Sequence, residues 1–296
     1  MNTDEHAERF TLLRPLLFTI VYEILGSAIE SDDVLQEAYL RWANVDLATV
    51  RDTKSYLAQL VTRQALNALR ASARRREDYV GPWLPEPLLL DENDASTDLV
   101  LAESVSMAML VLLETLTPDE RAVFVLREVF GFDYRGIATA VGKSAATVRQ
   151  VAHRAREHVQ ARRKRFEPVD AATTAQITEQ FMTAASTGDL EGLLWLLAPD
   201  VAWTADSGGK VTAARRPVVG AEKVAAVIMN LFRQERRGDL RAEMVNCNNT
   251  PAMAFSGERL EGVFLIEIAD GKITNFYAIR NPDKLLAVAV PRQISR

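Results

Sequence analysis

The segment that most restricts how this chain can fold is Asp133 to Arg156, DYRGIATAVGKSAATVRQVAHRAR. Ile137, Ala138 and Val141 fall at helical spacing and define a short amphipathic helix. Gly142 can make the tight turn that ends it, and Ser144 carries a hydroxyl able to cap the next helix. Val148, Val151 or Ala152, and Ala155 give that second helix one apolar face. Arg149, Gln150, His153 and Arg156 line another. Two helices joined by a glycine turn, the second rich in groups that reach bases and phosphates, form a helix-turn-helix layout. Ala145 and Ala146 at its start allow close approach to a duplex. An ordinary helical hairpin shares the apolar spacing but does not call for so basic an outer face.

The formal net charge of −5 conceals strong segregation. Arg63, Arg70, Arg74, Arg75 and Arg76 cluster without an intervening acid. Glu77 to Glu103 then carries acids and no Lys or Arg. A second basic stretch holds Lys143, Arg149, Arg154, Arg156, Arg162, Arg163, Lys164 and Arg165. Local field governs contact with phosphate, so this alternation matters more than the total. The single cysteine, Cys247, rules out a disulfide framework within the chain, and the absence of a histidine cluster argues against a zinc knuckle. No apolar run is long enough for a membrane span, and the polar opening MNTDEHAERF does not read as a signal peptide. A reducing, cytoplasmic setting is expected.

Residues 8–76 read as helices. Phe10 to Leu25 ends at Gly26, Ser31 is positioned to cap a following helix with Asp32 and Asp33 in its first turn, and Tyr56 to Arg76 forms a third. Residues 77–102 read as an acidic, proline-containing linker, and residues 103–165 as helix again. From Thr174 two helices, Ile177 to Ser186 and Leu190 to Leu197, precede β-rich runs at Val201 to Ala205, Val211 to Val219, Leu240 to Val245, Leu260 to Ile268 and Ile273 to Ile279. A helix near Ala221 to Phe232 interrupts them. Helices followed by a mainly antiparallel set of strands imply an α+β domain over residues 174–290.

The segment Asp32-Asp33-Val34-Leu35-Gln36-Glu37-Ala38-Tyr39-Leu40-Arg41-Trp42 resembles the region 2 helix of extracytoplasmic-function (ECF) RNA polymerase sigma factors. Tyr56 to Arg76 resembles the helix that follows it, and Leu116-Thr117-Pro118-Asp119-Glu120-Arg121 with the helix-turn-helix resembles region 4. The resemblance covers roughly residues 8–165. It implies core RNA polymerase and promoter DNA as partners. Asp32, Asp33, Gln36, Glu37, Leu40, Arg41 and Trp42 are then the candidates for docking on polymerase. Arg63, Asn67 and Arg70, on one helical face, are candidates for the −10 element. Asn44, Arg51 and Lys54, in the loop before that helix, would hold a flipped −10 base. Lys143, Ser144, Thr147, Arg149, Gln150, His153 and Arg154 are candidates for the −35 element. Family recognition helices often carry a basic residue where this chain has Val151, so promoter preference does not transfer. The linker would thread into polymerase.

The remaining residues resemble the SnoaL-like fold, as in the SigJ-type subgroup of ECF factors, whose three short motifs have counterparts here. These are Trp83-Leu84-Pro85-Glu86-Pro87, then Asp206-Ser207-Gly208-Gly209-Lys210 with Ser207 in place of a glycine, then Asn281-Pro282-Asp283-Lys284-Leu285. The implied role is control of the sigma module in cis, without a usual anti-sigma partner. Catalysis is not expected: His6, His153 and His158 all lie outside this domain, and Asp206, flanked by glycines, suits a loop better than a catalytic base. Trp195, Trp203, Phe264 and Tyr277 either fill the core or line a pocket for a small-molecule ligand. No cofactor and no metal are expected. Two rivals stay open: a DNA-binding repressor or activator with a ligand-sensing domain, and a SnoaL-like enzyme fused to a targeting module. The expected architecture is therefore two all-α sigma domains followed by an α+β SnoaL-like cone domain.

Overall fold

The computed structural model describes residues 3–90, 98–162 and 171–296. They divide into two compact units. The first comprises Met1–Glu77, Leu90–Lys164 and Arg292–Arg296, and the second Asp78–Leu89 and Arg165–Pro291.

In the first unit α1 (Thr3–Leu25), α2 (Ala28–Trp42) and α3 (Thr53–Glu77) pack on one another as a helical bundle. Leu17, Ile20 and Ile24 of α1 are wholly buried, as their spacing predicts, and Gly26 ends the helix at φ +69°. The cap of α2 differs from the sequence reading. Ser27 caps it, its hydroxyl accepting from the Glu30 N–H at 3.0 Å. Ser31 lies buried one turn inside, its own hydroxyl turned back to the Ser27 carbonyl. Two serines four residues apart offer the same local signal, and the burial of Ala28 and Ser31 decides between them.

Helices α4 (Leu99–Ser104), α5 (Met107–Leu113), α6 (Pro118–Phe124), α7 (Tyr134–Val141) and α8 (Ala145–Arg162) complete this unit. Thr117 and Glu120 form a reciprocal capping box at the start of α6, with Pro118 at its first position. A π-turn, Val125–Val129, follows. Helix α3 packs against α6 and α7 as well as α1 and α2. The buried Arg121 guanidinium ties this junction together: it donates to the Glu23 carbonyl at 2.8 Å and pairs with Glu114, which also holds Arg76.

The second unit is a six-stranded sheet in the order β2-β1-β6-β5-β4-β3. Its strands are β1 (Leu197–Asp206), β2 (Val218–Val219), β3 (Arg241–Cys247), β4 (Thr250–Ser256), β5 (Leu260–Ala269) and β6 (Lys272–Ile279). β1 and β6 are parallel, and the other pairs are antiparallel. Helices α9 (Ala171–Thr187), α10 (Leu190–Leu196) and α11 (Ala221–Arg236) share a core with one face through Phe181, Phe232, Trp203, Phe255, Phe264 and Phe276. The alternating partners Ala252, Ala254, Val263, Leu265 and Ile279 are buried too. A short helix, α12 (Pro282–Leu285), packs on β5.

Two strand expectations change. Of Val211 to Val219, only Val218–Val219 is strand. β4 was not expected at all, because TPAMAFS lacks the alternation of a half-wet strand and carries a proline at its second position. Both of its faces are buried, which removes the alternation.

Candidate functional site

The helix-turn-helix forms as its local signals require. Asp133 caps α7, Gly142 turns the chain at φ +69°, and the Ser144 hydroxyl accepts from the Thr147 N–H at 3.1 Å. Val148, Val151, Ala152, Ala155 and Val159 of α8 face the core. Lys143, Ser144, Thr147, Arg149, Gln150, His153 and Arg154 all lie exposed around its outer face. Val151 is 4 % exposed. The residue that departs from the family pattern therefore packs inward and leaves the outer face to its basic neighbours. Arg127 and Arg149 both lie over the Tyr134 ring, at 4.7 and 5.6 Å from its centroid, which limits the freedom of the Arg149 side chain.

On α2, Asp33, Gln36, Glu37, Leu40 and Arg41 form one exposed stripe at helical spacing. Leu40 is 61 % exposed, an apolar side chain in a charged surround. Asp32, at the edge of the stripe, pairs with Arg14 at 2.9 Å and Arg292 at 2.7 Å. Trp42 corrects the sequence reading. It is wholly buried, donates from its indole to the His6 carbonyl at 2.9 Å, and packs edge-on to the His6 ring. Its size belongs to the bundle core, and it presents nothing to a partner.

Asn44, Arg51 and Lys54 are exposed around a short 3₁₀ turn, Leu47–Thr49, and Asn44 donates back to the Leu40 carbonyl at 2.8 Å. Arg63, Asn67 and Arg70 share the outer face of α3. Two of the three already have protein partners. Arg63 donates to the Thr139 carbonyl of α7 at 3.1 Å, and Arg70 to Asp119 of α6 at 2.7 Å. Of the basic run that follows, Arg163, Lys164 and Arg165 lie outside the described residues.

The second unit holds a buried polar cluster where the three short motifs meet. Asp206 closes β1 and is 0 % exposed. One of its carboxylate oxygens accepts from Lys284 Nζ at 2.7 Å and from the Leu84 N–H at 2.8 Å. The other accepts from the Tyr79 hydroxyl at 2.5 Å. Lys284 also donates to the Leu84 carbonyl, and its ammonium sits 3.8 Å from the centre of the Trp83 ring. Asn281 caps α12 and donates to the Tyr79 hydroxyl at 2.8 Å. Burial, then the neighbouring Asp206 carboxylate, push the Tyr79 phenol well above its ordinary value, so it stays a donor. On the rim, Lys210 pairs with Asp283. Further along, Leu88 exchanges hydrogen bonds with Asn248, at 2.9 Å to its side chain and 2.8 Å from its backbone. Trp83 to Pro87 is thus gripped through its backbone, with Leu84 to Pro87 buried.

This arrangement corrects the loop reading of Asp206. The glycines that suggested a loop lie just beyond it, and the carboxylate itself is buried with both oxygens engaged. Both carboxylate oxygens are thus committed to holding β1, α12 and the Tyr79–Leu84 stretch together. Gly208 and Gly209 do need to be glycine, at φ +56° and +73°. A Cβ at Gly208 would stand 2.6 Å from Asn281 Nδ2. Ser207 has no positive φ, which explains why a side chain is accepted there.

The aromatic residues divide. Trp203 and Phe264 fill the core, their ring centres 5.2 Å apart. The buried Tyr277 donates to Glu267 at 2.6 Å. Trp195 is 66 % exposed, with the Lys272 ammonium 4.1 Å from its ring centre. A cavity of about 580 Å³ opens elsewhere, lined by Asn230, Gln234, Asp239, Phe255, Arg259 and Arg280 among others. Sequence reasoning missed Tyr79, Asn248, Glu114 and Arg121, all of which act on partners remote in the chain or outside any motif. Among the described residues no group of His, Cys, Asp or Glu side chains could hold a metal ion, and no helix is long and apolar enough to cross a membrane.

Comparison with known proteins accounts for both units. The Sigma-70 region 2 profile matches residues 10–75, and the Sigma-70 region 4 profile matches residues 106–159. The ECF RNA polymerase sigma factor SigJ of Mycobacterium tuberculosis is 35 % identical over 287 residues, spanning 93 % of this chain and 91 % of that protein. The probable ECF RNA polymerase sigma factor SigI of the same organism is 32 % identical over 274 residues, 92 % of each. The crystal structure of M. tuberculosis SigJ superposes with a TM-score of 0.77 at 31 % identity, covering 96 % of this chain and 99 % of that one. That match extends over the α+β unit as well as the helical one. On this footing the chain belongs to the ECF RNA polymerase sigma factor family.

Proposed function

We propose that this chain binds core RNA polymerase through α2 and directs it to promoters, reading the −10 element with region 2 and the −35 element with region 4. The observation that carries this reading is a division of surfaces. The α2 stripe Asp33, Gln36, Glu37, Leu40 and Arg41 is exposed and mixed in charge, with an apolar centre suited to a protein partner. The outer face of α8 is basic and polar and suits a duplex. Asn44, Arg51, Lys54, Arg63, Asn67 and Arg70 are the groups for the −10 element. Lys143, Ser144, Thr147, Arg149, Gln150, His153 and Arg154 are those for the −35 element. The work is done in the cytoplasm, where polymerase meets DNA, and involves no catalysis by this chain.

The C-terminal unit acts in cis, by contact and without a separate anti-sigma protein. Its Asp206–Lys284 cluster holds Trp83 to Pro87, a stretch that lies in sequence between regions 2 and 4. Gripping that stretch shortens the free chain joining the two regions and so controls how often they adopt the spacing a promoter demands. Transcription with purified core polymerase tests the whole reading. The charge reversals Asp33→Lys and Glu37→Lys should together abolish core binding and leave the fold intact. Trp83→Ala should alter transcript yield at equal core occupancy. Unchanged core affinity in the double reversal would remove the α2 assignment, and unchanged yield in Trp83→Ala would remove the regulatory one.

A further inference from the structure

The groups assigned above to two different DNA elements meet on one carboxylate. Asp119 stands in the first turn of α6. One of its oxygens lies 2.7 Å from the Arg70 guanidinium of α3, and the other 3.0 Å from Lys143 Nζ, at the start of the recognition helix. The adjacent Glu120 lies 3.6 Å from Arg154, and the Thr139 carbonyl takes a hydrogen bond from Arg63. The Asp119 carboxyl is held below its ordinary range: partial burial alone would raise it, but the hydrogen bonds and charges of Lys143 and Arg70 outweigh that.

We propose that Asp119 is an internal substitute for promoter phosphate: it occupies one cation from the −10 surface and one from the −35 surface, and DNA must displace it. A carboxylate and a phosphodiester both present two oxygens to separate cations, so they compete for the same donors. While Asp119 holds Arg70 and Lys143 together, the two surfaces cannot reach separate stretches of a duplex. The free chain is thereby biased against wandering onto DNA. Binding to core polymerase, by drawing region 2 and region 4 onto different sites, would break the clamp and release both cations at once. Both ion pairs are partly exposed, so the restraint is modest, as a reversible clamp needs. This inference rests on the assignment of Arg70 and Lys143 to DNA.

The test is the affinity of the free, full-length chain for a labelled random-sequence duplex across a salt series, since phosphate binding is independent of sequence. Asp119→Asn should bind about two- to thirtyfold more tightly than the native chain. Its plot of log affinity against log salt should be steeper by about 0.9 for each cation released. Glu258→Gln removes one exposed charge elsewhere and should change neither quantity. Adding Arg70→Ala to Asp119→Asn should cancel part of the gain. In complex with core polymerase the advantage of Asp119→Asn should vanish. Asp119→Ser, which also suits a helix start, provides a second version should the first lose its fold, with thermal midpoints as the check. Equal affinity and slope for Asp119→Asn and the native chain would overturn the clamp even if Arg70→Ala still weakens binding. A gain that Arg70→Ala leaves untouched would instead overturn the DNA role of Arg70, and the clamp with it.

Discussion

The Lys284 ammonium lies 2.7 Å from a carboxylate oxygen of Asp206, and the two side chains are 7 % and 0 % exposed. A pair so far removed from water holds only if the remaining hydrogen-bonding capacity of both groups is met. Here Tyr79 and the Leu84 backbone meet it. Tyr79, Trp83 and Leu84, all from one short stretch, surround the pair, with Asn281 behind Tyr79. The stability of the second unit and its hold on that stretch are therefore one property.

Lys284→Met should destabilise the second unit by about 3–5 kcal/mol, because Asp206 is left buried without a counter-charge. Asp206→Leu combined with Lys284→Met should recover much of that loss. Yet the double variant should still release Trp83, since no ammonium remains over its ring. Denaturant unfolding gives the first quantity, and Trp83 fluorescence the second. A double variant no more stable than Lys284→Met would show that the pair is not the source of the cost.

Gly208→Ala should cost about 1–2 kcal/mol from its left-handed backbone alone, with more from the approach to Asn281. Ser207→Gly should change stability by less than about 1 kcal/mol. Thermal unfolding of both variants would separate a position held by its backbone conformation from one that tolerates a side chain. A Gly208→Ala protein with native stability would contradict the positive φ.

Arg149→Ala should cost about 1–3 kcal/mol of discrimination between the preferred −35 sequence and a scrambled one if its contact is to a base edge. Core binding should not change. Competition binding of the holoenzyme to the two sequences measures it. Equal losses on both would reassign Arg149 to phosphate.

Glu23 makes a pH prediction for the first unit. Burial raises its carboxyl from 4.5 to about 8, despite the hydrogen bond from Ser104 and the charge of Arg121. One of its oxygens lacks a protein partner, as suits a site built around the neutral acid. A group whose folded value is raised binds its proton more tightly folded than unfolded. Its neutral form is retained without penalty below about pH 4.5. The penalty then grows up to about pH 8, where the native group ionises, and stays constant above. Glu23→Gln should remove this dependence, so its stability relative to the native chain should climb between those pH values and then level off. A difference that stays flat across the range would show that Glu23 is charged in the fold.

The features legible in the amino-acid order are those decided within a few residues. Gly142 turns and Ser144 caps because backbone conformation and first-turn hydrogen bonding are local matters. The apolar stripes of α1 and α8 could be read for the same reason. Local signals can also mislead: Ser31 read as the cap of α2, whereas burial of Ala28 and Ser31 starts the helix earlier and gives the cap to Ser27. Packing alone placed Trp42 inside the bundle and buried both faces of β4. The Asp206 cluster shows the limit most clearly. Its motifs could be quoted, but Tyr79 and Asp206 lie 127 positions apart and Leu88 and Asn248 lie 160 apart. No periodicity links residues at such separations. Only the folded sheet, by carrying the end of β1 and the start of α12 to the same place, makes an acid flanked by glycines into a buried, fully paired anion.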